Sequence, residues 1–411
     1  MRNPSLRKPA LAVTGSLAVT GSLAALALLA GCASAGSPGS APSDAPSASA
    51  EADVRAGERL AVSIEGSVLV LDSVTLEVID TFSSEAFTRL NAVGDGRNVL
   101  VTTSTGFRVL DTATPELTDL EFPAEGAGHV VRHGGTTVLY ADGTGETTIF
   151  DTDALVELDN AELPEVTTHR AKAAHHGVSI VLEDGTLLTT VGDETSRSGA
   201  VALAPHDDHY DEIAASDDCP GIHGEGTAED EAVIFGCENG ALLYQNGAFE
   251  KFTAPDEYGR MGNAYVSETS PIVVGDYKHD PDAEGYLLHE VALIDTAAHT
   301  YEVVALDGIE YTWRGVVRGP GDLAYILGTD GAIHVLDPET GEITASHPVI
   351  DPWQGPADRQ DPHPALVTDG EIAYVADVAN DRVVSVDLAT GEVIAESDAL
   401  PAAPNEMALN L

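Results

Sequence analysis

Basic residues are scarce in this chain. Its 411 residues include 19 Lys and Arg against 68 Asp and Glu, a formal net charge of −49. A surface this negative repels nucleic acid and anionic lipid headgroups, which removes both from consideration as partners. Cysteine is rarer still, with Cys32, Cys219 and Cys237 the only three. Long helical periodicity is missing, so a helical bundle is excluded. There is no GxSxG elbow, no P-loop, no HExxH helix and no plausible Ser/His/Asp order. The common hydrolase and nucleotide-binding chemistries therefore have no residues to work with.

What is present begins with an address. Arg2, Arg7 and Lys8 precede an apolar run over 23–30, which closes in Leu29-Ala30-Gly31-Cys32. The run is short for a membrane span, and the pattern reads as a secretory signal over residues 1–31. Its end resembles a bacterial lipobox, with Cys32 as the lipidated residue of the mature chain. Residues 32–57 are mostly Ala, Ser, Gly, Pro and Asp, with too little apolar surface to offset the entropy of ordering, and read as a flexible tether. Residues 58–411 are expected to fold. With Cys32 committed to lipid, Cys219 and Cys237 remain. Outside the cell they read as a disulfide. The alternative is a metal site shared with His223, which an oxidising compartment disfavours.

Beyond residue 57 the chain is rich in Val, Thr, Ile and Leu, punctuated by Gly, Asp and Asn. Self-similarity at roughly 35 to 48 residues falls in the range of propeller blades. Each unit runs as a short inner strand, a Gly/Asp turn, a buried apolar strand, a second turn, a strand ending in Asp, and an outer strand. Val99-Leu100-Val101 with Val109-Leu110-Asp111, and Ile372-Ala373-Tyr374-Val375 with Val386-Asp387, are two examples. Seven units are complete. The eighth is split: the start, ending in Val70-Leu71-Asp72, lacks an inner strand, and 405–411 is an inner strand with nothing after it. Pairing the two closes the ring and removes an open sheet edge. The expected fold is all-β, a single β-propeller of eight blades, with seven as the fallback.

In a propeller the start of each inner strand faces the central channel. Aligning the units on their first turn places Arg89, His129, Lys172, His223, Asn263, Arg314, His363 and Asn405 there. All are polar, unlike a filled apolar core, in which unpaired polar groups are costly. Three are histidines, on units three, five and eight, spread around the axis. Three neutral imidazoles plus a water or carboxylate make a recognised zinc site, and Glu225 and Glu406 lie close enough in sequence to supply the fourth ligand. The alternative is that the histidines simply hydrogen-bond across a wet channel. Arg89, Lys172 and Arg314 weigh against a metal, because nearby cations weaken its binding; they would instead pair with carboxylates or bind an anion. A second cluster, His206, Asp208 and His209, lies in an irregular insertion and reads as a possible second metal site or as a solvated acidic loop. His279-Asp280 is a weaker version. His133, His176, His299, His334 and His347 are expected in turns or outer strands.

Several stretches carry a family resemblance: His129-Val130-Val131-Arg132-His133-Gly134-Gly135, Cys219-Pro220-Gly221-Ile222-His223-Gly224-Glu225, Pro362-His363-Pro364-Ala365-Leu366 and the closing Pro404-Asn405-Glu406. With these the chain resembles the secreted zinc metallochaperones (AztD-like) that partner a zinc ABC transporter. The resemblance implies a β-propeller that binds zinc outside the membrane, at His129, His223 and His363, and passes it to the transporter's solute-binding protein. It implies a binding protein, not an enzyme, expected here as a monomer on a lipid anchor at the outer face of the cell membrane. The competing expectations are a metal-dependent propeller lyase or lactonase using the channel arginines, and an interaction scaffold without metal.

Overall fold

A computed structural model describes residues 57–206, 209–282, 287–355 and 360–411. The signal segment, Cys32 and nearly all of the tether lie outside the described residues, as does Asp208. The described chain forms eight antiparallel sheets of four main strands each, taken in sequence order around a ring. They are numbered here as blades one to eight. Blade one holds residues 59–83; the others follow as 90–123, 127–170, 179–216, 223–253, 264–305, 311–348 and 366–396.

Blade one is completed by the far end of the chain. Met407–Leu409 pairs with Arg59–Ile64 in the register Leu60↔Leu409, Ala61↔Ala408 and Val62↔Met407. The seam is reinforced where the Glu406 N–H donates to Ser63 Oγ and the Asn410 side-chain carbonyl accepts from the Arg59 N–H, both at 2.9 Å. The ring thus closes with eight blades, by the strand exchange expected from the split unit.

The strand pattern follows from position in the blade. The second strands are buried on both faces, between neighbouring blades, and are continuously apolar: Ala232–Cys237 and Ala324–Gly328 are buried at every position. Outer strands alternate, as Glu342–Pro348 does between exposed and half-buried residues, because one face meets solvent. The Asp that ends the third strand recurs for a local reason. Asp72 Oδ1 accepts from the N–H groups of Val74 and Thr75 at 3.1 and 2.9 Å, and Asp111 Oδ1 from those of Ala113 and Thr114 at 3.0 Å. Asp295 repeats the arrangement with Ala297 and Ala298. Each carboxylate makes the turn into the outer strand by binding its own backbone.

Cys219 and Cys237 form the disulfide, both fully buried in the apolar cluster that holds blade four against blade five. In the chain-entropy account a loop of this size stabilises the fold by roughly 3 kcal/mol. It also ties the segment that leads into His223 to the end of the neighbouring strand.

Candidate metal centre

Three inner-strand starts come together on the channel wall. His129 belongs to Ala127–His133 of blade three, His223 opens His223–Ala228 of blade five, and His176 lies just before Ser179–Val181 of blade four. Local irregularity aims the first two. The pairing of blade three's first two strands slips between Ala127 and Val130, and that of blade five between His223 and Glu225. Such bulges turn side chains out of the pleat. At Gly224 the bulge needs φ of +61°, and a Cβ there would stand 2.4 Å from the Gly262 carbonyl oxygen. Only glycine fits both demands.

The three rings form a nearly equilateral triangle, with centroids 5.1 Å apart for His129 and His176, 5.3 Å for His129 and His223, and 5.1 Å for His176 and His223. One ligand atom from each lies within 4.8 Å of the others. Each Nδ1 faces an acceptor. That of His129 donates to the Gly177 carbonyl at 2.8 Å, that of His223 to the Gly262 carbonyl at 2.6 Å, and that of His176 to Asp142 Oδ2 at 2.6 Å. Carbonyls and carboxylates cannot donate, so the Nδ1 positions carry the protons and the Nε2 lone pairs are left facing one another. The Nε2 atoms of His176 and His223 are 3.1 Å apart. Two lone pairs at that distance repel unless a proton or a cation lies between them.

Protons are disfavoured at two of the three rings. Burial, with the neighbouring His176 and Arg89, pushes His129 down to about 4. Burial, with His129, holds His223 well below the usual histidine range. A cluster of imidazoles whose Nδ1 groups are fixed by outer partners is the donor set of a divalent transition metal. The residues fit such an ion.

The structure divides the residues expected at the channel. His129 and His223 meet as described, with Arg89 and Asn263, on a cavity of about 670 Å³ that also holds His176, Asp142, Arg260, Asp276 and Trp313. Glu225, Arg314, Asn405 and Glu406 line a neighbouring cavity of about 320 Å³, which shares His129, Asn263 and Trp313 with the first. Burial raises the Glu225 carboxyl to about 7. Glu406 is paired with the buried Arg314, whose Nη1 also donates to Asn405 Oδ1 at 2.6 Å. Neither glutamate joins the three-histidine group.

Two expectations need correction. His363 is buried and its Nδ1 donates to the Asp361 carbonyl at 2.9 Å, but it is outside the histidine group. Blade eight lies across the ring from blade four, so its inner strand is on the opposite side of the ring from the three histidines. Lys172 is 94% exposed, 3.9 Å from Glu212, and outside the channel. Its place is taken by His176, which had been expected in a turn or outer strand. A signal for His176 was there. The stride from His223 to Asp230 in the following turn is the stride from His176 to Glu183.

In the second cluster, His206 and His209 face each other as the last cross-strand pair of a hairpin, with ring centroids 5.0 Å apart. Asp211 Oδ2 is 3.1 Å from His206 Nδ1 and its Oδ1 is 3.5 Å from His209 Nε2. These three ligand atoms also lie within 4.8 Å of one another, all on exposed residues. His279 is paired with Glu290 at 2.6 Å.

Fold and site together define an eight-bladed β-propeller that gathers three histidines from consecutive blades on its channel wall. No family model matches the chain. It is similar to the zinc chaperone AztD of Citrobacter koseri, 23% identical over 290 residues, which is 68% of this chain and 64% of that protein. The match thus spans slightly less than two thirds of the relative's length. The structure of apo AztD from Citrobacter koseri superposes with a TM-score of 0.69 at 20% identity, over 86% of this chain and 97% of that one. The dihydro-heme d1 dehydrogenase NirN shares the fold more distantly, with a TM-score of 0.57 at 14% identity, over 86% of this chain and 75% of that one. The resemblance read from the sequence is thus matched by a likeness in both sequence and fold.

Proposed function

We propose that this protein is an extracytoplasmic zinc metallochaperone. It holds the ion on His129, His176 and His223 and passes it to the solute-binding protein of a zinc ABC transporter. The observation that carries the reading is the convergence of three imidazoles, each with its Nδ1 committed to an outer acceptor. Support comes from the likeness to a zinc chaperone and from the disulfide, which suits an oxidising compartment. Attachment through Cys32 and the tether would keep a monomer within reach of the membrane transporter. Zinc is cargo in this scheme and no bond of a substrate is made or broken. Transfer proceeds by docking and ligand exchange, for which three nitrogen donors and an accessible channel are suited.

The test is calorimetric titration of the purified protein with zinc. His129→Ala with His223→Ala abolishes tight binding while thermal unfolding stays cooperative, and His176→Ala alone weakens binding strongly. His363→Ala leaves the affinity unchanged. Full affinity in the His129/His223 double variant would remove the site.

A further inference from the structure

The charges on the wall of the larger cavity run against the rest of the chain. Four of the 19 Lys and Arg line it, but only three of the 68 Asp and Glu. Those three acids are already engaged. Asp142 accepts from His176; Asp276 accepts from the Gly262 and Asn263 N–H groups and from Asn263 Nδ2; Glu85 accepts from Ser104. Arg260 is partly satisfied, donating to the Gly221 carbonyl at 3.2 Å. Arg89 is not: its guanidinium makes no hydrogen bond or ion pair among the described residues, and stands 6.0 Å from the centre of the Trp313 ring. It lines the same cavity as His129, His176 and His223.

Cations beside a cation site cost binding energy unless a negative group stands between them. The histidine group also supplies one ligand too few. No Asp, Glu or Cys among the described residues joins it, whereas a divalent zinc-type ion takes four ligands.

One occupant resolves both deficits. Resting on the three-histidine reading above, we propose that the fourth ligand is a small exogenous carboxylate, one oxygen on the ion and the other held by the Arg89 fork. Guanidinium and carboxylate match in shape and charge, and the cavity of about 670 Å³ has ample room for such an anion. The cargo is then carried as a ternary complex. Its release is set by the local supply of anions and by any acidic side chain a receiving protein inserts in the same position.

The experiment uses cobalt(II), whose visible absorption reports its ligands, bound to the purified protein and titrated with acetate against perchlorate at matched ionic strength. Acetate gives a saturable change in the cobalt bands and perchlorate gives none. Arg89→Gln removes a cation from beside the site, so it binds cobalt more tightly in the absence of acetate but weakens acetate at least about tenfold, as loss of a charge-assisted pair requires. Arg89→Lys recovers part of the loss. Cobalt bands indifferent to acetate, or an acetate affinity unchanged in Arg89→Gln, would overturn this inference alone. Absence of cobalt bands would overturn it together with the three-histidine site.

Discussion

Asp142 of blade three accepts the Nδ1 proton of His176 on blade four at 2.6 Å. The favour is returned across the same interface, because Gly177, next to His176, accepts from His129 of blade three at 2.8 Å. Each blade therefore orients the other's imidazole, and the three-histidine group forms only where the two are in register. Asp142→Asn removes the charged acceptor and leaves the ring of His176 poorly fixed. Loss of such an outer partner costs about 10- to 100-fold in metal affinity. Zinc calorimetry on Asp142→Asn should show that loss with the unfolding temperature little changed. An affinity within twofold of the parent would mean that the carboxylate does not set the ring.

The eight blades were legible because they obey one grammar: an apolar second strand between neighbours, and an Asp whose carboxylate closes the next turn. Closure was legible too, since one unit lacked an inner strand and the last residues supplied one. The site was legible only in part. His129 and His223 stand at the channel positions assigned by alignment, but blade four was aligned on Lys172, where the structure puts His176. Nothing in the sequence says that ligands must come from adjacent blades. That follows from the ring itself, in which inner strands of consecutive blades are neighbours and those of blades four and eight are opposite. Nor did sequence separate Glu225 and Glu406 from the histidines. A bulge at Gly224 and the pairing of Glu406 with Arg314 decide it, and both are three-dimensional facts.

Asp111 ends the third strand of blade two, where it binds its own backbone and Arg97, with Arg97 Nη2 at 2.6 Å. Burial alone would raise this carboxyl, but the Arg97 hydrogen bond and the Thr114 N–H outweigh it, and the group lies below its ordinary 3.8. A carboxyl depressed on folding stabilises the native state above its unfolded value and loses that contribution as pH falls through its folded one. The contribution is therefore complete at neutral pH and disappears only below about pH 4. Asp111→Asn should cost about 1–3 kcal/mol at pH 7 and make the remaining acid dependence shallower. Denaturant unfolding at pH 7 and pH 3 measures both. A parent and variant that differ by the same amount at the two pH values would contradict the assignment.

The outer hairpin of blade four makes a separate demand on stoichiometry. His206 and His209 close the ladder as directly paired residues, and Asp211 lies two residues further along the second strand, on the same face. Two imidazoles and a carboxylate then converge without help from the rest of the fold. All three are exposed, so an ion there keeps water ligands and exchanges readily, whereas one on the channel wall is held by residues fixed from three blades. Two zinc equivalents of unequal affinity are therefore expected in the purified protein. His206→Ala with His209→Ala should remove the weaker equivalent and leave the tighter one untouched. The channel variant His129→Ala with His223→Ala should do the reverse. The hairpin pair sits on the two outer strands of blade four and the channel pair on the inner strands of blades three and five, so their effects should add. One equivalent in the parent, or loss of both in the hairpin variant, would refute the second site.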